Sequence, residues 1–180
     1  MTTKTKSLTK TALFAALIAV GAFITIPMYP VPVTLQTFFV FMAGLLLTPA
    51  EAFSACFIYM ALGLVGLPIF AGFSGGPQSI FVPSFGFIIG FCFSSALVAY
   101  LVRNIDPKDK IKIFMATMAG EILLYLIGLP YMYFALRAMG TNLNSLYAVL
   151  AAGLIPFIPG DLLKIIAAVI ISPKVKNATM

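Results

Sequence analysis

Two side chains of opposite charge stand three residues apart in a segment that is otherwise apolar. Asp161 and Lys164 follow a double proline break at Pro156 and Pro159. At a spacing of three residues, both side chains lie on the same face of a helix. Each charge alone would cost about 2.5–3.5 kcal/mol to insert into a bilayer, so we expect the two to pair. The pattern fits either a helix cap with a structural ion pair or a polar ligand site, and we predict ligand contact.

Catalysis and metal binding find little support in the residues present. The chain of 180 residues contains no histidine and no clustered ligands for a metal ion. No serine or cysteine nucleophile stands beside a recognisable base. The two cysteines, Cys56 and Cys92, lie among apolar neighbours, where free cysteine behaves as a small hydrophobe. We therefore expect no enzyme activity, no metal, no cofactor and no disulfide.

The composition is that of an integral membrane protein. Apolar side chains make up 62% of the chain and charged ones 9%, whereas soluble proteins carry about 25% charged residues. Six apolar stretches, most of them near the ~20 residues needed to cross hydrocarbon, predict a single all-α domain over 1–180 with six transmembrane helices. Their approximate ranges are 7–26, 33–47, 50–66, 84–102, 111–130 and 161–171. A short extra helix, capped by Asn142 or Asn144, is predicted before the sixth.

The basic residues flank the apolar stretches instead of forming one patch, which argues against nucleic-acid binding. In a six-span topology, nine of the 11 Lys and Arg residues fall on one side of the membrane. The positive-inside rule therefore places both termini in the cytoplasm. The nine residues are Lys4, Lys6, Lys10, Arg103, Lys108, Lys110, Lys112, Lys174 and Lys176.

The rise of an α-helix gives a depth for each polar side chain in a span. Counted from their cytoplasmic anchors at about 1.5 Å per residue, Gln36, Tyr125 and Asp161 all lie about 18–20 Å above the inner surface. The second stretch, opened by Thr34 and Gln36, covers only about 22 Å of a ~30 Å core, which leaves a recess at its outer end. The second, fourth and sixth helices begin on that side, so their dipoles favour a ligand with an anionic or carbonyl end.

Two other polar features each admit a structural and a functional interpretation. Ser74, Gly75 and Gln78 belong to an uncharged glycine-rich loop. This loop either only connects two helices or presents backbone N–H groups to a ligand. Glu121 lies about 14 Å into the membrane on the fifth predicted helix, where we favour a hydrogen bond in helix packing.

Alanines at four-residue spacing mark the first predicted helix. Ala12 with Ala16, and Ala15 with Ala19, would let another helix approach closely in lipid, where packing drives association. The neighbour is either a helix of the same bundle or a separate membrane subunit, and the spacing alone does not separate the two.

Four segments together resemble the BioY family, the biotin-specific substrate-binding subunits of energy-coupling factor (ECF) transporters. They cover 30–47, 66–72, 86–91 and 156–164. Asp161 and Lys164 match the family's PGDxxK pattern, and Thr34 and Gln36 match its PVTxQ pattern. Where the family commonly reads PTGGY, residues 83–87 of this chain read PSFGF, and Phe85 is expected to supply an apolar wall.

This resemblance implies the S component of a vitamin uptake system in the bacterial cell membrane. It would capture biotin with high affinity from outside and deliver it through a transmembrane T component driven by two ATP-binding cassette ATPases. The chain has no GxxxxGK[ST] loop, so ATP hydrolysis would belong to the partners. The alanines of the first helix would dock on the T component. An S component for another vitamin and a non-transport membrane scaffold are the alternatives.

Overall fold

The backbone of residues 3–141 and 145–179 is described by a computed structural model, and in this part of the chain it forms seven α-helices. A two-residue β-pair and a 3₁₀ turn at Pro77–Phe81 join them. The helices are α1 (Thr3–Phe23), α2 (Gln36–Leu46), α3 (Pro49–Leu64), α4 (Phe85–Val102), α5 (Lys110–Ala138), α6 (Leu146–Gly153) and α7 (Ile158–Thr179). The strands are β1 (Thr25–Ile26) and β2 (Val33–Thr34).

Helix length and composition are those of a membrane protein. Among the described residues, three helical segments are long and apolar enough to cross a bilayer, namely Lys4–Phe23, Phe85–Val102 and Lys110–Ala138. Helices α6 and α7 meet the same criterion as a pair, with a bend of 47° between them. Helices α2 and α3 are shorter apolar helices of 11 and 16 residues.

The connection between α1 and α2 differs from the prediction because it contains a β-pair. Thr25 pairs with Thr34 and Ile26 with Val33, in antiparallel register. This pairing ends α1 at Phe23 instead of residue 26, and it places Thr34 in β2 and not in the first turn of α2. A periodicity of apolar residues does not reveal such a pair, since both strands are only two residues long.

The helices near the other end of the chain are longer than predicted. Helix α5 continues past Pro130, where the fifth predicted span ends, to Ala138. Helix α7 begins at Ile158, so the first turn contains both Pro159 and Asp161. Proline is tolerated there because the first N–H groups of a helix have no intrahelical partner. The helix then runs beyond residue 171 to Thr179.

The short helix predicted before the last span is present as α6. Its observed cap is Ser145, whose hydroxyl accepts a hydrogen bond of 3.2 Å from the Ala148 N–H. The predicted caps Asn142 and Asn144 lie outside the described residues.

Helix α4 is central to the bundle and packs against α2, α3 and α5. Helix α1 packs on α2 and α3, and α7 packs on α2 and α5. A first core cluster includes Phe14, Leu47, Ile113 and Val169. A second cluster is more aromatic and surrounds the end of the bundle where α2 and α4 begin; it includes Ile18, Val40, Tyr59, Phe70, Phe85, Phe91 and Leu124. The candidate site lies against this second cluster.

Candidate substrate-binding site

A cavity of about 180 Å³ lies at the end of the bundle where α2, α4 and α7 begin. The first turns of α2 and α4 and the start of α7 all contribute to its lining, as the sequence predicted for these three helix N-termini. Its apolar walls are Phe70, Phe85, Phe87, Phe91 and Phe157 together with Val31, Val82, Ile88 and Leu124. Its polar lining is Thr34, Gln36, Thr37, Ser74, Ser79, Ser84, Tyr125, Asp161 and Lys164.

Asp161 and Lys164 form an ion pair in the cavity wall. Lys164 Nζ lies 2.8 Å from Asp161 Oδ1, and the two side chains are only 12% and 6% exposed, respectively. The predicted pairing on one helix face is therefore confirmed. Burial makes each charge depend on the other, because removing one partner leaves an uncompensated charge in a medium of low dielectric constant.

Two further side chains hold this pair in place from other helices. Tyr125 on α5 donates a hydrogen bond of 2.6 Å to Asp161 Oδ2. Lys164 Nζ donates to Thr37 Oγ1 on α2 at 2.9 Å, and Thr37 also lies 3.4 Å from Asp161 Oδ1. Residues of α2, α5 and α7 thus converge on one carboxylate. We call Thr37, Tyr125, Asp161 and Lys164 the ionic cluster.

Gln36 is oriented by a separate chain of hydrogen bonds. Thr34 Oγ1 donates to Gln36 Oε1 at 3.0 Å, and Gln36 Nε2 donates to the Tyr59 hydroxyl at 2.7 Å. The Tyr59 hydroxyl in turn donates to the Ile69 carbonyl at 3.2 Å. Because the amide oxygen and nitrogen have different partners, the side chain has one defined orientation. We call Thr34, Gln36, Tyr59 and Ile69 the amide chain.

The aromatic walls are fixed by ring contacts. Phe70 packs edge-on against Tyr59 at 5.4 Å and against Phe85 at 6.4 Å between ring centroids. Phe87 meets Tyr125 edge-on at 6.0 Å. Such geometries are favoured by the ring quadrupole. The cavity therefore combines one ion pair with rigid apolar surfaces, an arrangement typical of sites for small molecules.

Seven of the nine predicted binding residues line this cavity, and two do not. Thr34, Gln36, Ser74, Phe85, Tyr125, Asp161 and Lys164 all contribute to the lining.

Gly75 and Gln78 are the two residues that the structure keeps out of the cavity. The Gln78 amide nitrogen donates to the Gly75 carbonyl, so its polar end is used within the loop. Gly75 packs on the end of α3, where a Cβ at this position would lie 2.9 Å from the Leu67 carbonyl carbon. The loop therefore reaches the cavity through Ser74, Ser79 and its aromatic neighbours and not through Gly75.

Sequence reasoning missed Thr37 and Tyr59. Thr37 follows Gln36 directly, but its contact with Lys164 joins residues that are 127 positions apart. Tyr59 is fully buried and does not line the cavity. The only available signal was a single tyrosine in the apolar run 55–64, and that pattern is equally typical of core packing.

The alanines of α1 divide between two faces of the helix. Ala12 and Ala16 are exposed, whereas Ala15 is buried and Ala19 packs against the second core cluster. The prediction of one docking surface for all four is thus too broad, because packing within the bundle already occupies Ala15 and Ala19. Ala12 and Ala16 remain accessible to a partner.

Glu121 also differs from its prediction. Neither carboxyl oxygen accepts a hydrogen bond from a donor group among the described residues, so the expected bond from a neighbouring helix to this carboxylate is not formed. The side chain is 5% exposed and lies outside the cavity lining.

Fold and site together define a helical membrane protein with a polar and aromatic cavity at one end of its bundle. A family model described as "BioY family" matches residues 1–180. The chain belongs to the BioY family, and the resemblance seen in its motifs is confirmed.

Individual relatives support this assignment over nearly the whole chain. The "Probable biotin transporter BioY" of Pyrococcus horikoshii is 40% identical over 98% of this chain and 99% of its own length. The "Biotin transporter BioY" of Thermotoga maritima is 33% identical, covering 96% of both chains. A solved structure described as the S-component for biotin from an ECF-type ABC transporter superposes with a TM-score of 0.84 at 30% identity. The match covers 98% of this chain and 95% of that one.

Proposed function

We propose that this protein is the biotin-binding S component of an ECF-type uptake transporter. The observation that carries the proposal is the buried Asp161–Lys164 pair in the wall of an aromatic cavity, in a chain of the BioY family. The names of its relatives, and the S-component for biotin that it superposes on, support biotin as the ligand. The protein itself is not an enzyme in this role.

The chemistry of biotin suits the cavity. Its ureido group offers two N–H donors and one carbonyl acceptor, its thioether ring is apolar, and its side chain ends in a carboxylate. Asp161 accepts from a ureido N–H, because its Oδ2 receives a single hydrogen bond, from Tyr125, and a carboxylate oxygen can accept more than one. Lys164 donates either to the ureido carbonyl or to the carboxylate. Phe70, Phe85 and Phe87 cover the apolar ring.

In the membrane we propose six spans, formed by α1 to α5 and α7, with both termini in the cytoplasm. The distribution of basic residues supports this orientation. Helix α2, with 11 residues, rises only about 16 Å, so its first turn lies inside a core of about 30 Å. The cavity at this first turn therefore opens toward the outside of the cell.

Transport requires partners in this proposal. The chain carries no phosphate-binding loop of the GxxxxGK[ST] type, so a T component and two ATPases supply the energy for release. The exposed small side chains of Ala12 and Ala16 offer the T component a surface for close helix packing. The complex would lie in the bacterial cell membrane.

Calorimetry with purified protein tests the ligand and the site together. We expect biotin to bind the wild type, and Asp161→Asn and Lys164→Ala to weaken binding by about 30-fold or more, since breaking a buried charge pair costs about 2–5 kcal/mol. A second Asp–Lys pair provides the matched control. Asp109 and Lys112 have the same spacing and a contact of 2.9 Å, but their side chains are 32% and 71% exposed, so Asp109→Asn and Lys112→Ala should leave binding unchanged.

Each alternative outcome has a distinct meaning. If both cavity variants bind biotin as tightly as wild type, the pair is structural and the site lies elsewhere. Binding of a different compound in a vitamin panel would indicate an S component for that vitamin. A protein that binds no member of the panel would fit a membrane scaffold.

A further inference from the structure

Glu121 is a buried acid directly behind the candidate site. Its side chain is 5% exposed, and neither Oε1 nor Oε2 accepts a hydrogen bond from a donor group in the part of the chain that the structure describes. Buried polar atoms in proteins nearly always have such a partner. An unpartnered carboxyl group in a membrane helix therefore calls for a physical explanation.

The surroundings of Glu121 connect it to the ionic cluster. It lies one helical turn before Tyr125, on the same face of α5, and Tyr125 donates to Asp161. Glu121 is also within electrostatic range of Asp161 and Lys164 on α7. Two carboxyl groups and one ammonium group thus share a buried volume.

The charges in this volume do not balance if both acids are ionised. Lys164 already compensates Asp161 through the ion pair, and α2 and α4, which pack beside α5 and α7, contain no Lys or Arg. The other ionisable side chains on these two helices, Cys92 and Tyr100, supply no cation, and neither does Tyr147 of α6, which also packs on α5. An ionised Glu121 would be a second negative charge, unpaired, inside the membrane, and such charges are costly. A neutral carboxyl group removes this cost.

We propose that Glu121 holds a proton beside Asp161 and thereby keeps the binding site electrically neutral, acting as a positioning residue for the substrate-binding carboxylate. The inference rests on the proposed function as a biotin-binding protein. The neutral acid donates its O–H toward Asp161, which keeps its negative charge and its pairing with Lys164. When Glu121 releases its proton to solvent, it repels Asp161, competes for Lys164 and disfavours an anionic ligand.

The proposal predicts that biotin affinity falls with rising pH, and that a neutral isostere abolishes this fall. The dissociation constant is measured from pH 6 to 9.5 for wild type, Glu121→Gln and Glu121→Leu. Above the titration of Glu121, the wild type should lose about tenfold in affinity per pH unit. Glu121→Gln keeps the shape and an N–H donor but cannot ionise. It should bind as the wild type does at pH 6 and show no such decline.

Comparing the dissociation constants of wild type and variants across the pH range separates the effect of Glu121 from that of the other residues of the site. The rest of the site is identical in the two proteins, so the difference between wild type and Glu121→Gln reports on Glu121. Glu121→Leu, which has no donor, should bind weakly at every pH. Parallel profiles for wild type and Glu121→Gln would overturn the proposal, as would a Gln variant that is as impaired at pH 6 as the Leu variant.

A measurement on the unaltered protein covers the case in which a variant does not fold. Calorimetry in buffers of different ionisation enthalpy counts the protons taken up when biotin binds. At alkaline pH the wild type should take up as much as one proton per ligand, because the ligand favours the protonated site. No uptake would overturn the role of Glu121 while leaving biotin binding intact, whereas a wild type that binds no biotin at any pH would overturn the proposed function.

Discussion

Gly63 provides a test of the aromatic wall that leaves every polar group of the site in place. This glycine lies in the last turn of α3, where a Cβ would stand 2.8 Å from Phe70 Cδ1 and closer still to two other atoms of the ring. Phe70 is buried between Tyr59 and Phe85 and lines the cavity. In Gly63→Ala, the new methyl group pushes the Phe70 ring. Because Tyr59 and Phe85 flank this ring, it moves toward the cavity.

The size of the effect follows from the cost of overpacking. Forcing an extra methyl group into a packed core typically costs about 1–3 kcal/mol. If the ligand must push the ring back, this energy is subtracted from binding, and the affinity for biotin falls by about 5- to 150-fold. A smaller side chain in place of the Phe70 ring should relieve the strain. The double variant Gly63→Ala/Phe70→Leu should therefore bind biotin better than Gly63→Ala alone.

Calorimetry measures the affinity, and a thermal melt shows whether the variant is folded. The melt can follow a thiol-reactive dye, because the two cysteines, Cys56 and Cys92, are free and buried and become accessible on unfolding. Gly160→Ala is the matched control, since a Cβ at this position meets nothing within 4 Å although the residue is adjacent to Asp161. A folded Gly63→Ala protein with the affinity of wild type would refute the assignment of Phe70 as a rigid wall.

Four other substitutions test the amide chain and the α1 surface. Tyr59→Phe removes the hydroxyl that fixes Gln36 and should weaken binding by about 2- to 12-fold, the value of one hydrogen bond, in calorimetry; unchanged affinity would show that Gln36 needs no support. Ala12→Leu and Ala16→Leu should reduce uptake in cells while sparing biotin binding, whereas Ala15→Leu should lower thermal stability because that position is buried. Normal uptake by both exposed-face variants would contradict docking there.

Helix geometry explains why much of the site could be predicted from the sequence. Gln36, Tyr125 and Asp161 come from three helices, yet counting residues from the membrane surface places them at one level, because the rise per residue is constant. All three line the observed cavity. The charges of Asp161 and Lys164 in an apolar segment were sufficient to predict the ion pair that the cavity wall contains, since unpaired charges are costly in membranes.

The loops and the second layer of side chains could not be predicted in the same way. Thr34 was assigned to a helix because nothing local indicates its pairing with Thr25. Gly75 and Gln78 looked suited to a ligand, but the path of their loop is decided by packing against the end of α3. These contacts join residues that are distant in sequence or depend on a particular turn. A pattern along the chain does not contain that information.

The two hydrogen-bonded groups of the site meet at the start of α2. Gln36 belongs to the amide chain and connects α2 to Tyr59 of α3, while the next residue, Thr37, belongs to the ionic cluster and connects α2 to Lys164 of α7. The polar side chains within each group already hydrogen-bond to one another, so few side-chain rotamers remain to be fixed when a ligand binds. A ligand that contacts Gln36 and Asp161 together therefore holds the first turn of α2 against both α3 and α7. Any movement of this turn would therefore weaken both groups at once.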